Sequence, residues 1–129
     1  MTEPVVFISH FAVKEGKLDD LRNLAEEMQG ELEADKPGTV VYLMYLGTDG
    51  STFTIAHCFP DAAAMDRHFE GADERSAVAF ELIEPAGWEI YGRPSDQALA
   101  AMREAAEVAD VTLTLRPELV GGFLRLASP

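Results

Sequence analysis

Apolar and polar residues alternate along this chain with period two in some stretches and recur at helical spacing in others, and the changes between the two periods mark out the elements. The stretch from Ser51 to Gly71 shows both. Phe53, Ile55, His57 and Phe59 fall on one face of a predicted strand, with Thr52, Thr54, Ala56 and Cys58 on the other, as in a half-buried strand. Pro60 ends it, and Asp61 is a good N-cap for a helix in which Met65, His68, Phe69 and Ala72 share one side, turning His68 inward toward the sheet. Upstream, residues 4–14 predict a strand with Val5, Phe7, Ser9, Phe11 and Val13 on one face and Val6, Ile8, His10 and Ala12 on the other. Both faces are mostly apolar, which suits a central strand covered by helices on one side and by a second layer, or a second subunit, on the other.

Glu15 and Gly16 break that strand, and a helix over 17–36 carries the apolar stripe Leu18, Leu21, Ala25, Met28 and Leu32. Pro37 and Gly38 stop it. A second strand over 39–46 leads through the glycine-rich turn Gly47 to Gly50 into the strand already described. After Gly71 a helix over 73–83 is apolar almost all round, with Ala77, Val78, Phe80, Leu82 and Ile83, so it needs deep burial or a partner's cover. Glu84 to Gly87 ends it, and 88–93 gives a fourth strand. The order βαββαβ predicts an α+β, ferredoxin-like unit with an antiparallel sheet. Residues 94–129 extend it: Ser95 caps a helix facing inward through Leu99, Met102 and Ala106, Val111, Leu113 and Leu115 alternate as a fifth strand, and 119–126 predict a last short one. A length of 129 residues fits a single domain.

Composition narrows the partners. With 47% apolar and 26% charged residues the chain is of the soluble globular kind. Its 10 Lys and Arg against 23 Asp and Glu give a net charge of −13, which repels nucleic acid and anionic membrane surfaces. The single cysteine, Cys58, excludes an internal disulfide and fits a reducing compartment, and no export signal or long apolar run is seen, so the expected location is the cytoplasm.

Three histidines carry the candidate chemistry. His57 shares a strand face with three large apolar residues, which suits a buried imidazole held by a hydrogen bond; His10 faces opposite to Ser9, so the two cannot line the same space. Positions 10, 57 and 68 include no i, i+4 pair and no carboxylate at metal spacing, and no metal site is expected. Cys58 alternates away from His57 and reads as a buried structural thiol. Phe7, Phe11, Tyr42, Tyr45 and Trp88 could wall a planar substrate, although aromatic residues on strands are ordinarily core. No glycine-rich phosphate loop is present.

The βαββαβ order over about 90 residues, the opening strand ending in Glu15 and Gly16, and the third strand running through Phe59, Pro60 and Asp61 into the helix with His68 together resemble the antibiotic biosynthesis monooxygenase-like family of dimeric α/β-barrel proteins. The resemblance covers about residues 4–93. It implies two sheets packed back to back in a homodimer, each subunit with a cavity between sheet and helices. It also implies a range of activities: oxidation of polycyclic phenols by oxygen without a cofactor, haem degradation, isomerisation, or none. His68 falls where relatives place a cavity histidine or tryptophan. Ser9 falls where the haem-degrading branch has an asparagine and Val78 where it has its iron-binding histidine, so haem degradation is disfavoured. The expectation is a cofactor-independent, oxygenase-like homodimer acting on a small hydrophobic or aromatic molecule, with His68 as base or anion holder and Phe7, Ser9, His57 and Trp88 around the substrate. The competing expectation is a non-catalytic binding or structural dimer of the same fold. An enclosed pocket of a few hundred Å³ in which His68 meets another polar group separates the two.

Overall fold

The structure is a computed structural model and describes residues 3–125. Its elements are β1 (Val5–Val13), α1 (Leu18–Asp35), β2 (Val41–Leu46), β3 (Thr52–Phe59), α2 (Ala62–Phe69), α3 (Ala72–Ala79), β4 (Ile83–Tyr91), α4 (Asp96–Ala109) and β5 (Leu113–Arg116). The five strands form one sheet in the order β2-β3-β1-β4-β5. The pairs β2–β3, β3–β1 and β1–β4 are antiparallel and β4–β5 is parallel, so the first four strands make the ferredoxin-like arrangement and β5 extends it at one edge.

The alternation of β1 decides what goes inside. Val5, Phe7, Ser9 and Phe11 are buried against the helices, while Val6, Ile8 and His10 lie half-buried on the outward face. Apolar side chains gather at both ends of that inner face. Val5, Phe7, Phe59, Met65, Ile90 and Met102 pack together at one end, and Phe11, Leu21, Phe53 and Ile83 at the other. Ser9 lies between them. Asp61 accepts a hydrogen bond from the Ala64 amide at 2.8 Å and so caps α2, as its position predicts. Ser95 does the same for α4, accepting from the Ala98 amide at 3.1 Å and donating its hydroxyl to Asp66 on α2 at 2.6 Å.

Two expectations fail and a third is narrowed. The helix predicted over 73–83 ends at Ala79, and Ile83 through Gly87 belong to β4, which begins five residues before Trp88. The register passes from His10↔Gly87 to Phe11↔Pro85, so Ala86 is an extra residue, and this bulge admits Pro85, which has no amide hydrogen to give to the ladder. Of the two covers expected for the segment, deep burial is not the one found: no residue of α3 is buried, and Val78 is 50% exposed, which leaves cover by a partner. The strand predicted over 119–126 does not form in its described part, residues 119–125, and Leu126 lies outside the described residues. No described helix is long and apolar enough to cross a membrane.

Candidate functional site

Between the inner face of the sheet and the helices lies a cavity of about 690 Å³. Leu21, Leu24 and Met28 of α1 wall one side and Met102, Ala105 and Val108 of α4 the other, so the C-terminal extension builds part of the cavity. The structure brings the sequence-predicted residues Phe7, Ser9, His57, His68 and Trp88 to this one space. Register explains how. Phe7 stands across from His57, Ser9 from both Ile55 and Trp88, and Tyr42 from His57, so side chains from four strands emerge on the same face. His10 is on the other face, with Nδ1 3.2 Å from the Thr54 hydroxyl and Nε2 2.5 Å from Glu89, whose second oxygen accepts from Tyr91. Tyr45 is on that outer face too, 58% exposed, and takes no part in the wall. Cys58 is buried there, away from His57, its thiol pushed up by burial.

One corner of the cavity is polar. The ring centroids of His57 and His68 are 5.0 Å apart, edge to face, and Tyr42 lies 5.2 Å from the first and 6.0 Å from the second. His57 Nδ1 is 2.9 Å from the Phe7 carbonyl, and His68 Nδ1 is 2.7 Å from the Thr39 hydroxyl. Arg75 of α3 donates from Nη2 to the His68 carbonyl at 2.5 Å and from Nη1 to the Glu70 carbonyl at 3.0 Å, which joins α3 to the end of α2. Sequence reasoning missed Arg75, and it took Tyr42 only as a wall residue. No local spacing signalled Arg75, because Gly71 interrupts the helical run between α2 and α3, whereas the β2–β3 hairpin register was the available signal for Tyr42.

Burial sets the charge states here. His57 is pushed down to about 4, mainly by burial, against the Phe7 hydrogen bond that favours its charged form, with the Arg75 charge lowering it further. His68 goes down to about 3 by burial first and then by His57, Arg75 and Lys36. The Tyr42 phenol is raised to about 12 by burial, with Arg75 acting the other way. Two neutral imidazoles and a neutral phenol therefore share the corner at neutral pH. Among the described residues no group of three or more His, Cys, Asp or Glu side chains could hold a metal ion.

Residues 4–79 match the family model described as antibiotic biosynthesis monooxygenase. Among solved structures, MupZ from Pseudomonas fluorescens superposes with a TM-score of 0.72 at 17% identity, covering 96% of this chain and 96% of that one. The MupZ match therefore takes in the α4–β5 extension. Rv0793 from Mycobacterium tuberculosis matches at TM-score 0.60 and 21% identity, over 73% of this chain and 98% of its own. SnoaB, a cofactor-independent oxygenase from Streptomyces nogalater, matches at TM-score 0.59 and 15% identity, over 73% and 96%. None of the curated protein sequences matches this chain.

Proposed function

We propose, for a chain that belongs to the antibiotic biosynthesis monooxygenase family, an oxygenase-like homodimer that binds a small, flat hydrophobic molecule carrying an ionisable hydroxyl and oxidises it without a cofactor. The observation that carries this reading is the cavity of about 690 Å³, apolar over most of its lining, in which His57, His68 and Tyr42 meet at one corner. A filled interior would have favoured a structural dimer. SnoaB, described as a cofactor-independent oxygenase, shares the fold and supports the choice of reaction class.

The chemistry follows from the corner. A phenol that loses its proton becomes an electron-rich anion able to react with oxygen, and a bound substrate filling the apolar part of the pocket would limit the water that could re-protonate it. His68 suits the anion, because a neutral imidazole offers an N–H without needing to be charged, and Tyr42 offers an O–H beside it. Phe7 and Trp88 would lie against the ring plane, and Ser9 would offer a hydroxyl between them. The test is oxygen uptake by the purified protein across a set of flat phenols. Replacement His68→Phe, on an apolar helix face next to Phe59 and Phe69, is expected to keep the fold and lower turnover by roughly 10²-fold. Full turnover in that variant removes His68 from the mechanism; tight binding with no oxygen uptake by any phenol replaces the enzyme with a binding protein.

A further inference from the structure

We propose that His57, through Nε2, is the group that takes the substrate's proton, and that His68 donates a hydrogen bond from its Nε2–H to the oxygen anion left behind. This rests on the oxygenase-like reading above, and of the two roles the sequence offers His68, base or anion holder, it keeps the second and moves the first to His57. The Phe7 carbonyl decides the matter. A carbonyl oxygen has no hydrogen, so at 2.9 Å the bond can exist only if His57 Nδ1 carries the proton and donates it. The neutral imidazole then has its lone pair on Nε2. Among the described residues no group bonds to that nitrogen and no buried side-chain nitrogen or oxygen is left without a partner, so Nε2 opens to the cavity that His57 lines.

Asp73 of α3 and Glu104 of α4 also line the cavity, but of the side chains gathered at the polar corner only His57 is fixed as an acceptor. Tyr42 keeps its proton and donates, and two Arg75 nitrogens are held by backbone carbonyls. The Thr39 hydroxyl can donate to His68 Nδ1 or accept from it. When it donates, the His68 proton sits on Nε2 and the two imidazoles present a matched pair, one acceptor and one donor, with ring centroids 5.0 Å apart. The step is a proton transfer alone. The substrate O–H bond breaks, its electron pair stays on oxygen, the proton goes to His57 Nε2, and the Nδ1 hydrogen stays on Nδ1, still donated to the Phe7 carbonyl. Charged and titratable neighbours of His57 are Tyr42 from β2, His68 from α2 and Arg75 from α3. Burial and Arg75 oppose a lone imidazolium, so His57 gains the proton only while the new anion lies against it.

Nitrogen NMR of protein labelled with ¹⁵N-histidine tests the tautomer directly, and 7-hydroxycoumarin, whose absorbance separates phenol from phenolate, tests the transfer. The free protein is expected to show His57 protonated at Nδ1 and bare at Nε2, and Nε2 is expected to gain a proton as bound coumarin turns to phenolate. His57→Asn keeps an N–H for the Phe7 carbonyl and removes Nε2. It should bind the coumarin as the neutral phenol and lose roughly 10²-fold in any oxygen uptake. A proton on Nε2 in the free protein, a coumarin that stays neutral or fails to bind in the wild type, or full ionisation in His57→Asn overturns the proposal. Ionised coumarin with no oxygen uptake from any phenol refutes the oxygenase reading and leaves His57 in its role. Oxygen uptake that survives His57→Asn and falls in His68→Phe does the reverse.

Discussion

Burial holds His57 and His68 uncharged at neutral pH, and the same burial makes the folded chain sensitive to acid. An unfolded histidine takes up a proton near pH 6.5, whereas His57 resists until about 4 and His68 until about 3. Between those values the unfolded state binds more protons than the folded one, so stability must fall as pH falls. The stabilising difference is fully present above about pH 6.5 and is lost on the way down to about 4 for His57 and about 3 for His68. Each imidazole contributes a slope of at most about 1.4 kcal/mol per pH unit in its window. Urea titrations from pH 7.5 to 4.5 should show the loss, and His68→Phe should flatten it by about one such slope. An unchanged slope in that variant would mean that His68 is charged in the folded protein or solvated like a free histidine.

At the scale of elements, α4 is the piece that binds the extension to the ferredoxin-like unit, and its N-cap is a single hydroxyl with two jobs. Ser95 accepts from the Ala98 amide and donates to Asp66 on α2. Ser95→Ala is expected to cost about 1 to 2 kcal/mol, read by chemical denaturation, and to loosen the wall formed by Met102 and Ala105. A second backbone constraint sits where β4 leaves the sheet. Gly92 has φ 99°, and a Cβ there would meet the Pro4 carbonyl at 2.6 Å, so Gly92→Ala should destabilise by more than about 1 kcal/mol. Such local features were legible in the sequence where one face was buried and one chain direction was regular. The alternation of β1 and β3, the caps Asp61 and Ser95, and the inward face of His68 were all of that kind. The start of β4 was not, because a bulge and a proline break its alternation while Leu82 and Ile83 continue the helical pattern before it. Arg75 was invisible for another reason: it reaches the site only because α3 turns back against the end of α2 after Gly71, at φ 79°. Tyr42 was visible as a ring, but its closeness to both histidines depends on hairpin register and on how α2 lies over the sheet.

For the whole molecule the outward face of the sheet poses the remaining physical problem. Val6 and Ile8 of β1, Val41, Leu43 and Tyr45 of β2 and Ala56 of β3 all point away from the helices, and Leu43 and Tyr45 are 49% and 58% exposed. One layer of helices covers only one side of a sheet, and an apolar face of this extent is larger than monomers ordinarily leave in water. Four of the polar groups on it are already paired: Thr54, His10, Glu89 and Tyr91 form one chain of hydrogen bonds, which holds the Glu89 carboxyl below the usual carboxylate range, first through Tyr91 and then through His10. A partner sheet laid on this face would therefore bury apolar surface without stranding those polar atoms. We propose that a second copy supplies it. Each copy carries a net charge of −13, so association is opposed by repulsion that salt screens, and the dimer should tighten as ionic strength rises. Light scattering at micromolar concentration is expected to report twice the 14.1 kDa of one chain, and Leu43→Asp to return it to a single chain mass at low salt. The cavity opens on the opposite side of the sheet, so the monomeric variant should still bind 7-hydroxycoumarin within a few-fold of the parent affinity. A parent protein that scatters as a monomer at both low and high salt would show that the outward face needs no second sheet, and the paired-sheet barrel would fall with it.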